Sequence, residues 1–190
     1  APFDVSYIPR REVRAIAQHV TSATAAVIVE PVQGVGGAFD MGVEFLKALR
    51  QRCDDSGSLL IFDEVQCGMG RSGRAFAAGY YGVAPDMITA AKALGNGFPC
   101  GALLMTPRVS AALKLEGLGT TFGGGPMACA AIEAVIDAIE QDELLANVRR
   151  VSQYIRNTCT VGPVVGHQGA GFLHGLICNR PAKELHGALL

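Results

Sequence analysis

Two polar residues stand where their neighbours give them no ordinary reason to be. Asp63 closes the apolar run Leu59-Leu60-Ile61-Phe62, and Lys92 lies inside Ile88-Thr89-Ala90-Ala91-Lys92-Ala93-Leu94. An apolar run of that length, entered from Asp54-Asp55-Ser56-Gly57, reads as a buried strand of a parallel sheet. Ligands of open α/β sheets bind beyond the carboxyl ends of such strands, which is where Asp63 falls. A carboxylate or ammonium among apolar residues is costly unless it is paired or used. The two are therefore expected to hold one cofactor between them.

Pyridoxal phosphate suits this pair. It needs a lysine to condense with its aldehyde and an acid to keep its pyridine nitrogen protonated. The protonated ring then takes up the electron pair left when an amino acid loses its α-proton. Removal from water favours a lysine's neutral, nucleophilic form. Ala90, Ala91, Ala93 and Leu94 are expected to provide those apolar surroundings. Read alone, Lys92 is equally a surface lysine at a strand end.

Two other chemistries compete. Gly68-Met69-Gly70-Arg71-Ser72-Gly73 matches G-x-G-x-x-G, but a dinucleotide loop must directly follow a strand and have an acid about 20 residues further on. Here four residues separate motif and strand, and Asp86 comes too early, so a plain loop is expected. The strand ending in Asp63 also suits a nucleotidase's magnesium site, which requires a G-x-x-x-x-G-K-S/T phosphate loop. No Gly-Lys pair occurs in the 190 residues.

The elements needed to position these residues follow from periodicity. Residues 9–20 show helical spacing at Val13, Ile16, Ala17 and Val20. Residues 25–30 read as a buried strand stopped by Pro31, which cannot donate to a ladder, and residues 33–37 as a loop. Phe45, Leu46, Leu49 and Cys53 fall on one helix face that ends at residues 54–57. Short strands are expected at 87–90 and 101–105, with residues 92–100 looping between them. Pro126 opens a helix rich in alanine and isoleucine, expected to be buried. A second helix is expected over 144–158, a strand over 171–177 and a helix start at 181–184. This alternation is that of an α/β layered fold. A boundary near Gln141 divides a domain 1–141 from the beginning of another, 142–190.

Bulk properties narrow the classes. The chain is 49% hydrophobic and 17% charged, so it can bury a substantial core. With 16 basic and 17 acidic residues and a net charge of −1, it offers no basic stretch for nucleic acid. Its apolar runs are far short of a membrane span, and no basic leader precedes an apolar block. Six scattered cysteines and four scattered histidines do not form a zinc pattern. Free thiols point to a reducing, cytoplasmic setting. Both ends read as interior sequence, so a fragment is expected, and a non-catalytic assembly module is an alternative.

Residues 25–140 resemble the class III, acetylornithine-type aminotransferases. Glu30-Pro31-Val32-Gln33-Gly34 resembles that family's E-P-I/V-Q-G, and residues 62–73 are similar to F-D-E-V-Q-T-G-x-G-R-T-G. Residues 92–102 resemble K-A-L-G-G-G-F-P-I-G-A, and residues 120–129 resemble S-T-F-G-G-N-P-L-A-C. The likeness weakens over residues 169–190. It implies most of the large domain of a fold type I pyridoxal-phosphate transferase, mostly parallel sheet with flanking helices, plus the start of the small C-terminal domain.

By position, the resemblance implies that Lys92 binds the cofactor aldehyde and moves the substrate proton, while Asp63 pairs with the ring nitrogen. Val65 would pack on the ring and Gln66 lie near its hydroxyl, with Glu64 counted in the same cofactor-binding segment. Thr121 would bind the phosphate of a neighbouring subunit's cofactor, which implies a homodimer, and Thr120 would meet substrate. The implied reaction passes an amino group from N-acetylornithine to 2-oxoglutarate. Ornithine, succinylornithine and 4-aminobutyrate are alternative donors.

Two positions depart from the family pattern. Val35 replaces a second glutamate that gates a substrate-binding arginine, and Gly125 replaces an asparagine. The family's upstream glycine-threonine phosphate loop, ring-stacking aromatic and downstream carboxylate-binding arginine have no counterpart in these 190 residues.

Overall fold

Alternation along the two central apolar runs determines how the sheet is covered. The computed structural model describes residues 3–114, 117 and 119–189. β1 (Ala26–Val29), β4 (Leu59–Asp63) and β5 (Met87–Ala90) are parallel neighbours, and β6 (Ala102–Met105) pairs antiparallel with β5, giving the order β1-β4-β5-β6. Val27, Leu60 and Phe62 are buried on one face, joined by Val29 and Ile88. α1 (Val13–His19) and α2 (Val43–Ser56) pack there, α2 contributing Phe45, Leu46, Leu49 and Cys53. α2 stops at Gly57, whose φ of 76° is a left-handed cap that suits glycine. Asp63 and Thr89 face the other way, since they are register partners one residue on from Phe62 and Ile88.

Arginines gathered on the buried Asp86 tie the sheet to its helices. Asp86 accepts from the Leu60 amide at 2.8 Å, Arg50 at 2.9 Å and Arg108 at 2.6 Å. Burial alone would raise its carboxyl, but the Leu60 amide and the two guanidiniums outweigh that and hold it below the usual range. Asp86 is thus a structural residue.

Several elements differ from expectation. The loop expected at 33–37 is the tip of a hairpin between β2 (Val32–Gln33) and β3 (Phe39–Asp40). α3 (Ala77–Tyr81) and α4 (Pro107–Ser110) were not expected. α5 (Pro126–Gln141) forms where the sequence places it, yet none of its residues is fully buried. α6 (Leu144–Thr158) matches the expected range. The strand expected at 171–177 is one arm of a hairpin, β7 (Val164–Ala170) with β8 (Leu173–Cys178), followed by α7 (Ala182–Leu189). That hairpin docks on the main layer: Ala170 joins its core, Gln168 donates to the Gly37 carbonyl at 2.8 Å and the Phe172 amide to the Arg71 carbonyl at 2.8 Å. No helix among the described residues is long and apolar enough to cross a membrane.

Candidate active site

The carboxyl ends of the three parallel strands place Glu30, Asp63 and Lys92 together. Glu30 follows β1, Asp63 ends β4 and Lys92 follows β5. Burial and the negative charge of Asp63 raise the Glu30 carboxyl above its ordinary range, opposed by the Gly34 amide and the positive charge of Lys92. The Glu30 carboxyl therefore senses both of the other side chains.

Asp63 is half-buried, and one of its oxygens is held twice. Oδ1 accepts the Val65 amide at 3.1 Å and the Thr89 hydroxyl at 3.0 Å. Among the described residues Oδ2 has no such partner, so it can accept from a protonated nitrogen. Sequence reading passed over Thr89; its signal is its place in register with Asp63 across a parallel pair.

Lys92 departs from expectation. It is exposed, not enclosed by its alanines. Ala91 is extended and Lys92 itself has a φ of 50° at the start of a 3-10 turn, Lys92–Leu94, which leads the chain out from the sheet. Ala90 and Leu94 are the apolar neighbours that are buried. Behind this turn, a cavity of about 280 Å³ lies among Met69, Ala93, Asn96, Ile139 and Leu145.

Glu64 is placed differently from its neighbour Asp63. Its side chain is turned away from Asp63 and buried, and its two oxygens accept the Ala77 and Ala78 amides of the first turn of α3. Burial raises this carboxyl, and the two amides act against that. A helix N-terminus has unpaired N–H groups to offer, so the Glu64 side chain serves as a cap for α3.

Val65 and Gln66 are half-buried just beyond Asp63. The Gln66 amide lies over Gly34, where an added Cβ would collide with its Oε1; glycine here makes room for that side chain. Val35, at the hairpin tip, is 93% exposed. Thr120 and Thr121 are exposed in the segment before α5. The glycines of residues 68–73 form turns under α6, with Arg149 donating to the Gly73 carbonyl at 2.6 Å. These turns are a packing surface, not a strand-to-helix phosphate loop.

An acid and a lysine at adjacent strand ends, with one carboxylate oxygen anchored and the other open, suit a cofactor bearing both a basic ring nitrogen and an aldehyde. Comparison with known proteins agrees. The family described as "Aminotransferase class-III" matches residues 5–160. The chain is 49% identical over 140 residues to the acetylornithine aminotransferase of Methanocaldococcus jannaschii, covering 74% of this chain and 35% of that protein. It is 51% identical over 137 residues to the succinylornithine transaminase of Yersinia pseudotuberculosis, covering 72% and 33%. The crystal structure of N-acetylornithine aminotransferase from Stenotrophomonas maltophilia K279a superposes with a TM-score of 0.83 at 34% identity, over 97% of this chain and 50% of that one. An ornithine aminotransferase from Toxoplasma gondii superposes with a TM-score of 0.86 at 30% identity, over 94% and 45%. The chain thus spans about a third to a half of the length of these relatives. The family is pyridoxal-phosphate dependent. This chain belongs to the class III aminotransferases.

Proposed function

We propose that the protein to which this chain contributes transfers an amino group from N-acetylornithine to 2-oxoglutarate. The observation that carries the assignment is the convergence of Asp63 and Lys92 at neighbouring strand ends, both acting on the Glu30 carboxyl. Asp63, with Oδ2 open, would hold the ring nitrogen of pyridoxal phosphate in its protonated form, and the Lys92 ε-amine would bind the cofactor's aldehyde. Val65 lines the ring and Gln66 stands near its hydroxyl. When bound, the cofactor takes up the electron pair released when the amine-bearing carbon of the donor loses its proton. The Lys92 Nζ would be the base that takes up that proton and gives it back.

Thr121 would meet the phosphate of a neighbouring subunit's cofactor and Thr120 the substrate, in a cytoplasmic homodimer. Their exposure ahead of α5 suits contact with a second chain. The architecture is read as the large domain of a fold type I transferase over 1–141 and the start of its small domain over 142–190. Support for the boundary is the break between α5 and α6.

Succinylornithine is the second reading for the donor, favoured by the 51% identity to a succinylornithine transaminase. Both donors are ornithines acylated at the α-nitrogen, so their reacting ends are the same. Val35 cannot pair with an arginine, and switching between donor and acidic acceptor rests on other residues. The test is amino transfer to 2-oxoglutarate from N-acetylornithine, N-succinylornithine, ornithine and 4-aminobutyrate in parallel. The proposal expects the highest kcat/KM for N-acetylornithine; a preference for ornithine or 4-aminobutyrate contradicts it.

A further inference from the structure

We propose that Thr89 is a positioning residue, which fixes the Asp63 carboxylate so that one particular oxygen is presented to the ring nitrogen. The inference rests on the reading of Asp63 given above and extends it to a residue on the next strand.

Asp63 and Thr89 are direct register partners in the parallel β4–β5 pair, so their side chains leave the same face side by side. The Thr89 hydroxyl donates to Asp63 Oδ1 at 3.0 Å, and the Val65 amide donates to the same atom at 3.1 Å. Two donors converging on one oxygen restrict rotation about the carboxylate and leave the other oxygen free. The Val65 amide alone would not do this. It comes from a residue two positions on, at a turn, and moves with the chain that carries Asp63. Thr89 is anchored separately: it lies on β5, where it is also in register with Leu103 of β6, and its carbonyl accepts the Glu64 amide at 3.0 Å, which extends the β4–β5 ladder beyond Asp63.

Threonine suits the task. A β-branched side chain on a strand has few χ1 options, so its hydroxyl is held in place before any ligand arrives. A hydrogen bond to a charged acceptor is stronger than one between neutral groups. A valine is nearly the same shape but donates nothing, and a serine donates with more rotational freedom.

The experiment uses the cofactor-loaded protein with Thr89→Val, Thr89→Ser, Asp63→Asn and the double variant Thr89→Val/Asp63→Asn. Borohydride reduction and peptide mapping report whether the cofactor is on Lys92, and stopped-flow absorbance gives the amine half-reaction rate. Thr89→Val is expected to keep the Lys92 adduct and slow the half-reaction by roughly 10- to 100-fold, the range expected when a reacting group is misplaced. Thr89→Ser is expected to recover most of that loss. In the Asp63→Asn background, adding Thr89→Val is expected to cost nothing further, because a residue acting only through Asp63 is silent once the carboxylate is gone. Should the valine variant not fold, Thr89→Ala takes its place in the same comparison.

An adduct on Lys92 with an unchanged Thr89→Val rate overturns the inference and leaves the assignment of Lys92 and Asp63 intact. An equal additional loss in the Asp63→Asn background also overturns it, since that marks an independent structural effect. Absence of a Lys92 adduct in the unsubstituted protein removes the reading of the site itself.

Discussion

Asp63 and Glu64 are adjacent carboxylates whose side chains leave the strand end in different directions. Asp63 stays on the open face with one oxygen free, while Glu64 is buried with both oxygens on the first turn of α3. Sequence alone offered little to separate them, because α3 is five residues with a central glycine and leaves almost no periodic signal. Had α3 been recognised, an acid with helical N–H groups to satisfy would have been assigned to it. Glu64→Ala strands two amide donors, one of them on a buried residue, and is expected to cost about 1–3 kcal/mol of stability. Urea denaturation is the check, with Lys92 still able to take up the cofactor; loss of loading without loss of stability would return Glu64 to the site. Lys92 was legible as an odd residue but not in its exposure, since its left-handed φ and the turn it begins are properties of the backbone.

At the scale of elements, the strands that carry the site could be read directly, because β1, β4 and β5 are apolar runs with turn formers or proline at their ends. Elements that are stabilised by partners and not by their own pattern could not. β2 and β3 are two residues each and exist only as a pair. β7, with two glycines and a histidine among seven residues, is held by β8. Within that second hairpin, His167 Nδ1 and His174 Nε2 are 2.8 Å apart, and Thr160 Oγ1 lies 2.9 Å from His167 Nε2. Burial first, then the positive charges of Arg156 and His167, hold the His174 imidazole below its ordinary value, against a favourable Gly171 carbonyl. A histidine whose folded value is depressed favours the fold while neutral. That contribution is complete above the unfolded value near 6.5 and is lost as pH falls through it toward the folded one. The hairpin is therefore expected to destabilise the protein in mild acid. Melting temperature followed from pH 7.5 to 5 should fall less in His174→Gln than in the unsubstituted protein; parallel curves would dissociate His174 from the effect.

For the molecule as a whole, one sheet face is covered by α1 and α2, and the other bears Asp63 and Thr89 together with Ile28 and Leu103, which are 64% and 47% exposed. Parallel sheets are ordinarily covered on both faces. The open face is also the one on which the site is built, and α5, expected from its composition to be buried, has no fully buried residue. Composition identified an apolar helix but could not supply the surface that covers it. The class of fold and the strand ends at which Asp63 and Lys92 stand were thus legible because they depend on local runs. The burial of α5 and the surroundings of Lys92 were not, because they depend on what packs against them. The account as a whole requires that one lysine carry the cofactor. Borohydride reduction of the cofactor-loaded protein followed by peptide mapping tests this directly: a pyridoxyl group on Lys92 alone, absent from Lys92→Ala, is the expected result, and a loaded protein whose adduct lies on any other lysine would contradict it.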